Sequence, residues 1–63
     1  MYVIKNTRHG NYLGKYFPKL NIFHFVANIE EAMTFRTKIE ANKIFKLLKS
    51  DSAILEKINI KKI

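Results

Sequence analysis

The chain has 63 residues, enough for one domain (1–63), and carries a formal net charge of +7. It contains no cysteine, so neither a disulfide framework nor a thiolate metal site can stabilise it. No apolar run approaches the roughly 20 residues that cross a bilayer, and the N-terminus lacks the layout of a signal peptide. We therefore expect a soluble cytoplasmic protein. Its charge favours association with polyanions or acidic protein surfaces, and the lysines can equally serve only to keep a small domain soluble.

The first half of the chain has the pattern of short strands separated by turns. Residues 2–5, 12–17 and 23–26 are predicted strands, and the Gly and Asn within residues 8–11 predict a hairpin turn between the first two. Strict alternation along the second strand predicts two faces, with Tyr12, Gly14 and Tyr16 on one and Leu13, Lys15 and Phe17 on the other.

The second half contains the main helix. A single helical turn capped by Asn28 is predicted over residues 28–32, followed by a brief strand over 33–36. The helix is predicted over residues 37–49. A C-terminal strand over 54–63 follows, with alternate isoleucines, beginning at Ile54, facing inwards.

The helix prediction depends on its cap and its apolar face. Thr37 and Glu40 have the spacing of a capping box. At about 100° per residue, one face carries the apolar residues Ala41, Ile44, Phe45 and Leu48. Lysines occupy the other side, with Lys43 and Lys46 opposite the apolar face and Lys38 and Lys49 at its border.

These elements predict an α+β fold. The short hairpin at the start implies a small, mostly antiparallel sheet of order β-β-β-α-β along the chain. One main helix is expected to pack on one face of that sheet.

No residue pattern supports catalysis or a bound metal or cofactor. His9 and His24 are the only histidines, and no set of further ligands with metal-site spacing accompanies them. Glu30 and Glu31 are neighbours that point different ways on a helical turn, so they favour a role as negative charge at its start. We therefore expect a non-enzymatic protein without cofactor or metal.

Two groups of residues are candidates for binding a partner. The predicted hairpin interleaves rings with lysines at Tyr12, Lys15, Tyr16 and Lys19, a combination that single-stranded nucleic-acid sites use. The same tyrosines could instead border the core, as amphipathic rings often do.

The predicted helix offers the other candidate surface. Ile39 lies off the apolar face, near Lys43 and Lys46, with Lys38 and Lys49 close by. An apolar side chain among lysines can be a contact point for a protein partner. It can equally cover a neighbouring loop.

The layout of the chain resembles small phage and prophage accessory proteins of low-GC bacteria. The resemblance lies in a Tyr-Val-Ile-Lys start, a Gly-Asn-Tyr-Leu-Gly hairpin and the stretch over residues 29–41. In that stretch the shared shape is Ala-x-x-Phe, a capping Ser or Thr, and Glu-Ala on a helix. Here these positions are Ala32, Phe35, Thr37, Glu40 and Ala41.

The resemblance implies a fold and a genomic neighbourhood, with no catalytic residue to carry over. Accessory proteins of that kind often counter host defence, as anti-CRISPR proteins do. The first expectation is therefore a phage-type inhibitor of a host defence nuclease or nucleoprotein complex, acting through a basic surface. The alternative is a small nucleic-acid-binding regulator that contacts phosphates with Lys and Arg and bases with the hairpin tyrosines. A homodimer formed through the edge of the C-terminal strand is compatible with both.

Overall fold

The computed structural model describes residues 1–58. Four strands form one antiparallel sheet of spatial order β3-β2-β1-β4, and the helix follows β3 in the chain. The strands and helices are β1 (Tyr2–Asn6), β2 (Asn11–Phe17), β3 (Ile22–Val26), a 3-10 turn (Ile29–Glu31), α1 (Lys38–Leu48) and β4 (Ala53–Lys57). The predicted α+β fold of order β-β-β-α-β is confirmed.

The turn between β1 and β2 is held by backbone and side-chain hydrogen bonds. The Asn6 side-chain oxygen accepts from the backbone N–H groups of Arg8 and His9, at 3.0 and 3.3 Å. Gly10 has a φ of +67°, which glycine adopts without steric cost, and its N–H donates to the Asn6 carbonyl. Thr7 joins this turn to the start of β4, because its N–H and its hydroxyl both donate to the Ser52 carbonyl.

A β-bulge in β2 divides the sheet into two parts. Leu13 lies opposite Phe25, but the next paired residue, Lys15, lies opposite His24, so Gly14 is the extra residue. The segment around Phe35 occupies the space beside β1 at this point. Phe35 exchanges two backbone hydrogen bonds of 2.8 Å with Tyr2.

Beyond the bulge, β2 and β3 continue as a two-stranded hairpin. We call residues 15–24 the arm. Its strands pair antiparallel in a register shifted by one residue, from Lys15 opposite His24 to Phe17 opposite Ile22. The molecule is accordingly elongated, with principal extents of 35 × 24 × 20 Å.

Helix α1 begins where its sequence predicts. The Thr37 hydroxyl oxygen accepts from the Glu40 backbone N–H at 3.2 Å, so the forward half of the capping box forms. The helix ends at Leu48, and Lys49 follows in the left-handed conformation with a φ of +50°. A left-handed residue commonly ends a helix, and glycine is the usual residue at that position.

The core lies between α1 and one face of the sheet. Its buried residues are Ile4, Leu13, Phe35, Ala41 and Ala53. Partly buried side chains surround them, including the three helix residues Ile44, Phe45 and Leu48 that the periodicity placed on the apolar face.

Three expectations of local structure were wrong. Residues 33–36 form no strand, only the isolated pairing of Phe35 with Tyr2. Asn28 precedes the 3-10 turn without a side-chain capping bond. Ile54 does not face inwards: it is 44% exposed, and its neighbours Ala53 and Leu55 pack on the core. Of the predicted final strand, residues 59–63 lie outside the described part of the chain.

Candidate nucleic-acid interface

Helix α1 packs on one face of the sheet, and alternate strand residues point to the other face. Ile4 and Leu13 point to the helix side, so their strand neighbours Lys5 and Tyr12 point to the other. Lys5 and Tyr12 lie directly opposite each other on adjacent central strands. We call this side the open face and define it by Lys5, Tyr12, Lys15, Phe17 and His24.

The bulge at Gly14 decides which arm residues reach the open face. Two residues of β2 there match one of β3, so the alternation of faces shifts by one residue. Lys15 and Phe17 therefore join Tyr12 on the open face. The predicted grouping of Tyr12, Gly14 and Tyr16 on one side was wrong.

Tyr16 lies on the helix side of the sheet. Its ring stacks on Phe23, with centroids 4.6 Å apart and planes 17° from parallel. Phe23 itself packs against the core, and Tyr16 is half-buried. Tyr16 thus fits the alternative in which a tyrosine borders the core.

The open face alternates cations with aromatic rings. The Lys5 ammonium lies 5.8 Å from the centroid of Tyr12, and the Lys15 ammonium lies 5.7 Å from that of Phe17. Both distances are within the range of cation–π attraction. Glu56 is an acidic group close to these residues, and it lies 3.9 Å from the Lys5 ammonium.

Exposure along this face is greatest on the arm. Phe17 is 40% exposed and Ile22 is 49% exposed, and the side chains of Lys15 and His24 are also exposed. Val3 alternates onto the same side but is fully buried. The accessible part therefore runs from Tyr12 along the arm.

The arm ends in an apolar hollow that carries one lysine. Phe17, Pro18, Lys19 and Leu20 line a space of about 490 Å³. Leu20 is 68% exposed. Lys19, the fourth candidate of the predicted hairpin site, thus lies at the tip rather than on the sheet.

The charge around the open face is almost entirely positive. No Asp or Glu precedes Glu30 in the chain, so β1, β2, β3 and their turns carry only basic charges. A surface that combines stackable rings with lysines matches the needs of unpaired nucleotides, since rings stack on bases and ammonium groups attract phosphates.

The helix candidates form a separate surface. Ile39 is 72% exposed, and the exposed side chains of Lys43 and Lys46 follow it along the outer side of α1. Lys38 is the first residue of the helix and Lys49 its C-cap. Because α1 packs its inner side on the sheet, this surface points away from the open face, and one small ligand cannot contact both.

The described residues offer little for other chemistry. Within residues 1–58 no cluster of three or more His, Cys, Asp and Glu is arranged to hold a metal ion. In the same part of the chain, no helix is long and apolar enough to cross a membrane.

Sequence reasoning missed Lys5, Phe17 and His24 as members of the open face. The available signal was Gly14, because a glycine inside a strand often marks a bulge. Allowing for one extra residue there would have placed Lys15 and Phe17 beside Tyr12. Lys5 required the hairpin register, which puts it opposite Tyr12.

Comparison of the chain with family models, curated proteins and solved structures found no match.

Proposed function

We propose that this protein is a small, non-enzymatic module that binds single-stranded nucleic acid on its open face, as a regulator in the cytoplasm of a host cell. The observation that carries the proposal is the set Tyr12, Lys15 and Phe17 on one side of β2, joined across the sheet by Lys5. Tyr12 and Phe17 offer ring faces to bases. Lys5 and Lys15, each beside one of these rings, offer positive charge to phosphates.

A single strand fits this surface better than a duplex does. Stacking needs bases with free faces, which a single strand supplies and a duplex hides. The described elements include no pair of helices arranged to enter a major groove, since α1 is the one α-helix of residues 1–58. The alternation of rings and lysines tolerates any base, so weak sequence preference is expected.

Fluorescence anisotropy with labelled oligonucleotides tests the proposal. Phe17→Ala removes a ring that is 40% exposed, and it should weaken single-strand binding by roughly 5- to 150-fold, because each stacked base contributes about 1–3 kcal/mol. Ile39→Ala is the matched control: it truncates an exposed apolar side chain on the opposite side and should leave the affinity unchanged.

A second pair of variants separates local charge from net charge. Lys15→Gln and Lys43→Gln remove the same charge from opposite sides of the molecule. Lys15→Gln should lower the slope of log affinity against log salt by about 0.7, the value for one phosphate contact on a single strand. Lys43→Gln should not. Equal effects of the two variants, or no binding of any single strand at low salt, would reject the proposal.

The outer side of α1 favours a second candidate function. Ile39, 72% exposed among Lys38, Lys43 and Lys46, suits a contact with an acidic protein surface. We propose on this basis that the chain could act as a phage-type, anti-CRISPR-like inhibitor of a host defence nuclease or nucleoprotein complex. The resemblance to phage accessory proteins supports the same role.

Purification from host lysate tests this candidate. The tagged protein should retain one stoichiometric protein partner after nuclease treatment. The double variant Lys43→Glu and Lys46→Glu should lose that partner while Lys15→Glu retains it. Loss with Lys15→Glu alone would move the contact to the open face and count against the helix surface.

A further inference from the structure

Strand β3 is an edge of the sheet without the usual protection. It pairs with β2 on one side, and none of the other backbone hydrogen bonds among residues 1–58 involves Ile22–Val26. Natural edge strands are generally guarded by lysine, proline, a bulge or a covering segment. Ile22–Val26 has the sequence Ile-Phe-His-Phe-Val, which contains neither lysine nor proline. The bulge of this pair lies at Gly14 on the other strand.

The other edge differs in chemistry. Strand β4 carries both Glu56 and Lys57 within its five residues. Charged side chains of this kind oppose pairing with a further strand. In a protein of net charge +7, β3 itself contains no lysine or arginine, so two copies can pair along it without setting such residues directly opposite each other.

The sequence of β3 is nearly a palindrome. Read in either direction, it gives a β-branched residue, Phe, His, Phe and a β-branched residue. Two antiparallel copies related by a two-fold axis at His24 would place Ile22 opposite the partner's Val26. The same axis places Phe23 opposite the partner's Phe25. A two-fold interface requires such self-complementarity. Each contact occurs twice, because the two residues exchange places between the copies.

We infer that two copies of this chain associate through β3, edge to edge, to form one continuous eight-stranded antiparallel sheet. Aromatic and β-branched pairs across strands stabilise such pairing. In this dimer Phe23 and Phe25 of both copies lie on the helix side, as they do within one copy. The open faces of the two copies then lie side by side. The association itself does not require nucleic acid.

Sedimentation velocity over a range of protein concentrations tests the inference, with two matched variants. His24→Glu puts a carboxylate opposite Lys15 within one copy, a favourable cross-strand pair, but opposite its own copy across the axis. Ile54→Glu is the control, because residue 54 lies opposite Lys5 on the other edge strand. Each variant introduces one carboxylate on the open-face side of the sheet.

The wild-type chain should sediment as a monomer–dimer equilibrium that Ile54→Glu preserves. His24→Glu should weaken the dimer by about two- to fivefold, since like charges directly opposite are destabilising. Circular dichroism should show both variants folded. A monomer at every concentration would overturn the inference. A dimer that His24→Glu leaves as strong as wild type, or that both variants weaken equally, would also overturn it.

Discussion

At the scale of single residues, Gly14 has the greatest effect on the position of the site. A Cβ atom at this position would lie 2.6 Å from the Cγ1 of Val26 and 3.1 Å from its Cγ2. Val26 is β-branched and cannot swing aside by a simple rotation. Gly14 therefore allows the backbone of β2 to approach β3 closely at the bulge, and the bulge turns Lys15 and Phe17 onto the open face.

This contact predicts the effect of Gly14→Ala. The variant should lose about 1–3 kcal/mol of unfolding free energy, as overpacking costs, measured by urea denaturation. Val26→Ala in the same chain removes the contacted methyl groups and should recover part of that loss. Gly10→Ala is a useful contrast: nothing lies within 4 Å of its added Cβ, and the expected cost of about 1–2 kcal/mol comes from the positive φ. A Gly14→Ala protein as stable as wild type would contradict the close approach.

At the scale of elements, the helix was the most predictable part of the chain. Local sequence rules predict its cap, its length and its apolar face, and residues 37–49 satisfy all of these rules. The faces of the strands were less predictable, because one extra residue reverses every later side chain. The same shift explains Tyr16, which stacks on Phe23 on the helix side. The prediction that Ile54 faces inwards was wrong for a related reason. Side chains of the last strand do alternate, but Ile54 belongs to the exposed set.

The cap gives a prediction at this scale. Thr37→Ala should destabilise the protein by about 1 kcal/mol, because the Glu40 backbone N–H loses its acceptor at the start of α1. Thr37→Ser retains a hydroxyl oxygen and should keep most of the stability. Thermal unfolding followed by circular dichroism distinguishes the two. Equal stability of Thr37→Ala and wild type would show that the bond contributes nothing measurable.

At the scale of the whole molecule, the two candidate surfaces lie on opposite sides of a thin domain whose smallest extent is 20 Å. The sequence could identify both sets of lysines but could not place them relative to each other, because that depends on which sheet face the helix covers. The core cluster decides this, because it brings Ala41 of the helix together with Ile4 and Leu13 of the sheet, which are distant in the sequence. The nucleic-acid and protein contacts proposed above would therefore occupy opposite sides of the domain.

The arm is the part of the molecule where stability and binding are linked. Beyond Gly14 its two strands pair only with each other among the described residues, and isolated hairpins are marginally stable. The Tyr16–Phe23 stack joins its two strands through their side chains. Tyr16→Ala should therefore raise amide hydrogen exchange within residues 15–24 and leave β1 and β4 protected. Uniform exchange across all four strands would contradict an arm of separate stability.

The most direct test of the central claim is an NMR titration of the isotopically labelled protein with a single-stranded oligonucleotide of about ten nucleotides, a length typical of one small binding site. The backbone amide signals of Tyr12, Lys15 and Phe17 should shift, together with that of Lys5 across the sheet. The signals of Ile39 and Lys43 should remain in place. Shifts confined to α1, or no shifts at low salt, would contradict binding on the open face.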